Sequence, residues 1–198
     1  PLLSGGADST AKLSREHAVR TVAPGAVVVA GGKYTTYRVM AADAVDAAIA
    51  ELGEQRAATV PASATDRIPL LGADGYLAMV NRADRIADRY EIREEQVRHL
   101  LDRYGSLAEE VLDLAVGRPD LLSELGGAER YLRVEVVYAA LSEAALHLED
   151  VLVRRTRISM EYQHGGADCA REVAELMAEV LDWDDARIER EVELFERR

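Results

Sequence analysis

The sequence contains one cysteine, one phenylalanine and one tryptophan in 198 residues. A single cysteine cannot form a disulfide within the chain, so crosslinks do not hold this fold together, and nothing in the sequence indicates an oxidising compartment. We therefore expect a cytoplasmic protein. The cysteine, Cys169, keeps helical spacing with Val173 and Leu176, which predicts a small buried thiol rather than a nucleophile.

Long apolar runs are also missing, because no run approaches the roughly 18 to 20 residues that a membrane-spanning helix needs. With 48% hydrophobic and 30% charged residues, the composition is typical of a soluble globular protein. The chain begins with Pro1 rather than Met, and no basic segment followed by an apolar one opens it. We expect no signal peptide and interpret the N-terminus as a cut.

Positive charge is scarce: 24 basic residues stand against 36 acidic ones, for a net charge of −12. Phosphates repel such a chain, which argues against broad affinity for nucleic acid. The whole excess lies in residues 58–198, because residues 1–57 carry equal numbers of basic and acidic groups. The two parts of the chain therefore differ in kind.

The first part contains a strand, a glycine turn and a helix. Residues 26–30 form a short β-branched apolar run that predicts a strand buried on both faces, and the run ends at Gly31-Gly32. Apolar residues at one-face spacing predict a helix from about Thr36 to Leu52, with Gly53 as its terminator. Residues 54–69 lack periodicity and contain two prolines, so we place a linker at 58–69 between modules 1–57 and 70–198.

The second module, residues 70–198, is predicted to be all-α, with about six helices in a compact bundle-like arrangement. One helix is expected around Leu77, Val80 and Ala87, and a capping box of Ser106 and Glu109 is expected to open another. Residues 156–162 are predicted to be extended. The expected fold class is thus mainly α, with a helical domain preceded by a strand-turn-helix segment.

The strongest candidate for chemistry is the block from Gly31 to Arg38, Gly-Gly-Lys-Tyr-Thr-Thr-Tyr-Arg. A strand that stops at two glycines lets the backbone approach a ligand, and the following helix presents unpaired N–H groups and a partial positive charge. Thr35 or Thr36 could cap that helix, and Lys33 adds a cation. The spacing matches neither common phosphate-binding glycine motif, so a tight structural turn remains the alternative.

Two other groups of residues could carry function. Arg15, in the polar segment 9–17, could bind a phosphate through its planar fork, although a solvated surface loop is the other interpretation. The basic cluster of Arg154, Arg155 and Arg157 fits either salt bridges within the bundle or docking onto another domain or a phosphate. Metal binding is not expected, because the four histidines are too scattered to form a ligand pattern: His17, His99, His147 and His164.

Several ordered blocks resemble one family. These are residues 1–3 (Pro-Leu-Leu), residues 13–17 (Leu-Ser-Arg-Glu-His), the Gly31 to Arg38 block with Met-Ala at 40–41, and residues 149–152 (Glu-Asp-Val-Leu) leading into Arg-Arg-Thr-Arg at 154–157. In this order they resemble the C-terminal portion of FAD-dependent, quinone-linked glycerol-3-phosphate dehydrogenases, in an actinobacterial-like version. The resemblance covers nearly the whole chain.

The resemblance implies an enzyme that oxidises sn-glycerol 3-phosphate to dihydroxyacetone phosphate, with hydride transfer to FAD and electrons passed to the quinone pool at the membrane surface. Such a protein would be cytoplasmic or peripheral on the inner face of the cell membrane. Residues 1–57 would be the C-terminal end of the FAD- and substrate-binding domain, an α/β domain of which the strand-turn-helix is a remnant.

The resemblance also assigns roles to residues. Lys33 would be catalytic and would bind substrate, and Arg15 would grip the substrate phosphate. The cofactor-binding set would be Gly31, Gly32, Lys33, Tyr34, Thr35 and Thr36. The family's N-terminal flavin-binding motif and a second arginine, which would precede Pro1, are absent, so the fragment alone is not expected to catalyse.

Two alternatives stay open at this point. Residues 70–198 could be an all-α interaction module for partner docking or for a homodimer, without catalysis, because the helical part shows no convergent polar constellation. The chain could also belong to a related FAD-dependent oxidase that gives its electrons to oxygen, since no residue here separates an oxidase from a dehydrogenase.

Overall fold

The computed structural model describes residues 17–197 and divides after Pro69 into two compact units, residues 1–69 and residues 70–198. Helices dominate the described residues, which confirms the expected mainly α fold class. Among those helices, none combines the length and the apolar character that crossing a bilayer requires.

The first unit is a β-hairpin followed by a helix. Strands β1 (His17–Ala23) and β2 (Ala26–Gly31) pair antiparallel, with His17 opposite Gly31. Pro24 and Gly25 connect the strands, and Gly25 adopts φ 74°, as the third residue of a Pro-Gly turn requires. A 3₁₀ turn (Tyr34–Thr36) then leads into α1 (Tyr37–Ala50) and the short α2 (Glu54–Ala57).

The prediction of a strand at 26–30 is confirmed, but its expected burial on both faces is wrong. The side chains of Val28 and Val29 are 48% and 39% exposed. The reason is that β2 has β1 as its sheet neighbour and α1 against the hairpin, and no further layer among the described residues. Indeed, none of residues 17–69 that the structure describes is buried.

The second unit contains eight α-helices and a small hairpin among its described residues. The hairpin pairs β3 (Glu124–Leu125) with β4 (Ala128–Leu132). The helices are α3 (Tyr76–Val80), α4 (Ala83–Tyr90), α5 (Glu94–Tyr104), α6 (Ala108–Asp113), α7 (Arg133–Ser142), α8 (Ile158–Glu161), α9 (Ala167–Leu181) and α10 (Asp185–Glu196). A π-helical turn, Asp150–Arg155, precedes α8, and 3₁₀ turns lie at Gly105–Leu107, Pro119–Leu122 and Gln163–Gly166.

The core of this unit surrounds α7, which packs on α9, while α9 also packs on α10 and α4 packs on α5. Helix α7 is buried on almost every side, so an amphipathic stripe does not describe it, although Leu141 near its end is exposed. Cys169 is buried as predicted. Burial raises the pKa of its thiol to about 11, and the thiol donates to the Gly166 carbonyl.

The prediction of an all-α second module with about six helices is wrong in detail, because the described residues of this unit contain eight α-helices and the β3–β4 hairpin. Local structure differs from the sequence prediction at three further places. The helix expected across Leu77 to Ala87 is two helices, because Asn81 and Arg82 separate α3 from α4. Residues 158–161 are helical rather than extended, with Ile158 buried. The Ser106 capping box does not form: the Ser106 N–H donates to the Gly72 carbonyl at 2.8 Å, and α6 begins later, at Ala108.

Gly72 and Gly105 meet through their backbones alone. A Cβ at Gly72 would lie 2.4 Å from the Tyr104 carbonyl oxygen, and one at Gly105 would lie 2.1 Å from the Gly72 carbonyl oxygen. Both residues also have positive φ, 84° and 59°. Contact and backbone conformation therefore both require glycine at each position.

Glu135, at the start of α7, is a carboxylate with no exposed surface. Its Oε1 accepts from the Leu132 N–H at 2.9 Å and lies 3.1 Å from His99 Nε2, while its Oε2 accepts from the Tyr104 hydroxyl at 3.1 Å. Arg103 Nε lies 3.3 Å from Oε2. A buried charge needs such partners, and these tie α5 and the end of β4 to α7.

Glu143, just beyond α7, is a half-buried carboxyl whose Oε2 has no hydrogen-bond partner within the described chain. Burial raises its pKa, an effect that Arg155 and Arg103 oppose and that the charge on Glu135 reinforces. The folded protein therefore holds this proton to a higher pH than the unfolded chain does.

Leu112, in α6, is fully buried, and its replacement by alanine should lower the free energy of unfolding by about 2–5 kcal/mol through lost burial and a cavity. The matched control is Leu194→Ala on α10, where the side chain is 61% exposed and the change should stay within about 0.5 kcal/mol. Urea unfolding followed by the fluorescence of Trp183, which packs against this core, measures both. Equal losses in the two variants would contradict the assigned core.

Glu143→Gln should become progressively more stable than the wild type as pH rises from about pH 4 to about pH 7. The sign follows from the raised pKa: the folded state binds the proton more tightly, so stability is lost as pH rises above the unfolded value of 4.5. Glutamine does not titrate and escapes that loss. Unfolding free energies at several pH values test this, and a difference that shrinks with rising pH would refute it.

Candidate functional site

The glycine turn predicted from the sequence lies at the end of β2. Gly31 and Gly32 have φ values of 82° and 86°, a region that other residues adopt at a cost. A Cβ at Gly32 would lie 2.5 Å from Met40 Sδ and 3.2 Å from His17 Cβ. Glycine at position 32 therefore lets the turn fold closely onto α1 and β1.

The residues after the turn start a helix with little side-chain capping. Lys33 is extended, and its carbonyl accepts from both the N–H and the hydroxyl of Thr36, each at 3.0 Å. Thr36 occupies the N-cap position of α1, yet its hydroxyl donates instead of capping, so the expected threonine cap is wrong. The N–H groups of Tyr34 and Thr35 consequently have no acceptor within the helix, and they stand at the positive end of its dipole.

The side chains of this turn face outward. Residues 33–36 are all exposed, and the Tyr34 ring is 90% exposed, with its centroid 6.0 Å from that of Tyr37. Within the described residues, the ammonium of Lys33 has neither an ion-pair nor a hydrogen-bond partner. A free cation, free N–H groups and an aromatic ring are thus presented together, an arrangement suited to an anion or an electron-rich ring edge.

A histidine-aspartate pair that no local sequence pattern indicates stabilises the turn. His17 Nε2 lies 2.6 Å from Asp43 Oδ2, which links β1, beside Gly31, to α1. At the other end of the hairpin, the Glu51 carboxylate accepts from the Thr21 hydroxyl and the Gly25 N–H, and these bonds lower its pKa. The Pro-Gly pair at 24–25, which follows Val-Arg-Thr-Val at 19–22 and precedes the apolar run at 26–30, was the signal that could have revealed this hairpin.

The predicted site residues fall into three groups. Gly31 through Thr36 form one continuous surface, as just described. Arg15 lies outside the described residues. The Arg154 cluster belongs to the second unit, where Arg154 pairs with Glu149 and, at 3.0 Å, with Asp150, in line with the salt-bridge interpretation for that residue.

Metal chemistry receives no support from the described part of the chain, which contains no group of three or more potential metal ligands among its histidine, cysteine, aspartate and glutamate residues. At the turn, Lys33 and the backbone N–H groups are suited to binding an anion and stabilising negative charge.

Curated proteins similar to this chain are named as glycerol-3-phosphate dehydrogenases. "Glycerol-3-phosphate dehydrogenase 2" of Mycobacterium bovis is 57% identical over 192 residues, covering 97% of this chain and 32% of the relative. "Glycerol-3-phosphate dehydrogenase" of Mycobacterium leprae is 53% identical over 198 residues, 100% of this chain and 33% of the relative. The mitochondrial protein of Bos taurus is 31% identical over 188 residues, 93% of this chain and 25% of the relative. The chain thus spans about a third of the length of the mycobacterial relatives.

A family model described as the C-terminal domain of alpha-glycerophosphate oxidase matches residues 63–188. The match includes most of the helical unit, with its buried α7 and the arginine-rich segment at 154–157. It spans well over half of the chain, which therefore belongs to the family of the C-terminal domain of alpha-glycerophosphate oxidase.

Proposed function

We propose that the chain is the C-terminal part of a flavoenzyme that oxidises sn-glycerol 3-phosphate to dihydroxyacetone phosphate. The observation that carries the proposal is 57% identity over 97% of the chain to a protein named as a glycerol-3-phosphate dehydrogenase. In this proposal, residues 1–57 complete the active site and residues 70–198 form the C-terminal helical domain. Residues 58–69 are the linker between them. The fragment alone is inactive, because it holds only one side of the pocket.

The glycine turn suits FAD as the cofactor. Its two glycines keep side chains away from the turn, and the start of α1 offers N–H groups to a negatively charged ring edge. Exposed Tyr34 and the absence of buried residues among those described in 17–69 leave this surface open to a larger domain. Bound FAD would supply the hydride acceptor, a task for which proteins depend on cofactors.

In this proposal, residues of this chain bind and orient the substrate. The Lys33 ammonium, without a partner in the described chain, attracts the anionic substrate and stabilises negative charge at its reacting end. Arg15, by its resemblance to a family arginine, grips the substrate phosphate through its planar fork. The His17–Asp43 pair holds β1 against α1 and so fixes the turn that carries Lys33.

The electron acceptor in this proposal is quinone, and the whole protein works in the cytoplasm at the inner face of the membrane. The relatives are named dehydrogenases, which favours an acceptor other than oxygen. The family description, in contrast, names an oxidase. Hydrogen peroxide formed by the full-length protein in step with substrate oxidation would favour oxygen instead. Reduction of a quinone analogue without peroxide is the outcome expected here.

We expect the amides of β1 and β2 to exchange with solvent at least about tenfold faster in the isolated 198-residue chain than in the full-length protein, because exposed backbone bonds open easily. No described residue of this unit is buried, and in this proposal the rest of the full-length protein covers it. Mass-spectrometric hydrogen exchange compares the two proteins, and α7 serves as the internal control that should exchange slowly in both. Strong protection of the hairpin in the isolated chain would count against a missing domain that covers it.

In the full-length protein, Lys33→Ala or Arg15→Ala should lower kcat/KM for glycerol 3-phosphate by about 100-fold or more, since each removes a charged group from the substrate. The melting temperature should hardly change for Lys33→Ala, because that side chain is exposed and unpaired in the described chain. Steady-state kinetics and thermal melting measure the two effects.

The matched control is Arg56→Ala on α2, which also removes an exposed cation from the first unit. Its kcat/KM should stay within about twofold of the wild type, as expected of an exposed residue outside the glycine turn. Unchanged kcat/KM in both Lys33→Ala and Arg15→Ala would contradict the site assignment. An equal decrease of kcat/KM in Arg56→Ala would show that the effect comes from net charge and not from these two residues.

A further inference from the structure

The second unit contains a cavity of about 440 Å³ that is unusually rich in guanidinium groups. Residues of α5, β4, the π-helical turn and α8 surround it, and we refer to it as the arginine cavity. Five arginines line it: Arg103, Arg130, Arg154, Arg155 and Arg157. This concentration of positive charge distinguishes the cavity from the rest of the chain, whose net charge is −12.

Two of these arginines have guanidinium groups that remain free. Within residues 17–197, the side chains of Arg130 and Arg157 have no hydrogen-bond or ion-pair partner, although their backbone N–H groups donate to the hydroxyls of Tyr162 and Tyr131. Both residues are exposed at the cavity. Each therefore offers a complete fork of donors to a ligand.

The remaining arginines are held in place by the protein. Arg154 pairs with Glu149 and Asp150, and Arg155 Nε donates to the Glu143 carbonyl at 2.8 Å. A second nitrogen of Arg103 donates to the Arg155 carbonyl.

Arg103 itself lies at the base of the cavity, and its side chain is only 17% exposed. The ring of Tyr131 lies 5.2 Å from its guanidinium carbon. Its Nε, although 3.3 Å from Glu135, has no hydrogen-bond acceptor in the described chain. The base of the cavity is thus preorganised, with Arg103 fixed by Tyr131, by Glu135 and by the Arg155 carbonyl.

The acidic groups nearby do not use up these donors. Glu161 accepts from the Tyr131 hydroxyl at 3.0 Å, Glu149 and Asp150 hold Arg154, and Glu135 is shared among its own partners. Asp102 is the one other carboxylate that lines the cavity in the described residues, against five guanidinium groups. The free forks of Arg130 and Arg157 must find their acceptors in water or in a ligand.

We infer that the arginine cavity is a binding site for the phosphate group of a small soluble phosphomonoester, gripped by Arg130 and Arg157 and seated towards Arg103. A phosphate dianion matches the planar forks of arginine in both charge and geometry. A small ion fits this setting better than an extended anionic surface, because the acidic exterior of the chain repels the latter. All residues that line the site belong to the second unit.

The test is a titration of the isotope-labelled 198-residue chain with inorganic phosphate, followed by two-dimensional NMR of arginine Nε–H and backbone signals at constant ionic strength. Saturable shifts confined to the cavity are expected. The double variant Arg130→Gln with Arg157→Gln should weaken binding by about tenfold or more, since charge-assisted hydrogen bonds are lost. Both side chains are exposed and unpaired in the described chain, and circular dichroism should confirm an unchanged fold.

The matched control is Arg85→Gln with Arg190→Gln, which removes two exposed arginines that also lack side-chain partners among the described residues but lie away from the cavity. Its affinity should stay within about twofold of the wild type, as screened surface charges predict. The proposal fails if phosphate causes no saturable shift, or if both double variants weaken binding equally. Binding to phosphatidic acid vesicles without a response to free phosphate would assign the site to a lipid headgroup and also overturn it.

Discussion

The helical unit depends on one buried charge, the carboxylate of Glu135. It receives hydrogen bonds from the end of β4 and from α5, and it begins the helix around which the core is packed. Leaving such a charge without partners would destabilise the unit by about 3–5 kcal/mol, a large share of the stability of a typical domain. The positions of His99, Arg103 and Tyr104 are consequently coupled, and any change in one alters the surroundings of the other two.

The same carboxylate connects the core to the surface. Arg103 lies against Glu135 on one side and donates to the Arg155 carbonyl on the other. Arg155 in turn bonds to the carbonyl of Glu143, beyond the end of α7. The segment at 154–157, which the sequence marks only as a run of basic residues, is therefore ordered by backbone acceptors and by a buried anion. This order explains how several like charges can converge on one cavity in a folded chain.

The parts of the fold that depend on local sequence could be predicted, and those that depend on distant partners could not. Gly31 and Gly32 before a helix, and the buried position of Cys169, follow from local patterns. Glu135 sits in a helix between apolar residues, and its partners lie at least 31 residues away apart from Leu132. Nothing local distinguishes it from a solvated glutamate. The candidate site at Gly31 to Thr36 could be predicted because its residues are consecutive in the sequence. The His17–Asp43 pair that stabilises it spans 26 residues and could not be predicted from local sequence.

The backbone contact between Gly72 and Gly105 has a practical consequence for protein engineering. Because no side chain takes part, the joint between the segment before α3 and the end of α5 is specified by conformation alone. A fusion junction placed before Leu70 keeps this backbone contact, so the helical unit could be fused to a different N-terminal segment. A junction placed after Ala73 would remove the Gly72 carbonyl and leave the Ser106 amide without its acceptor.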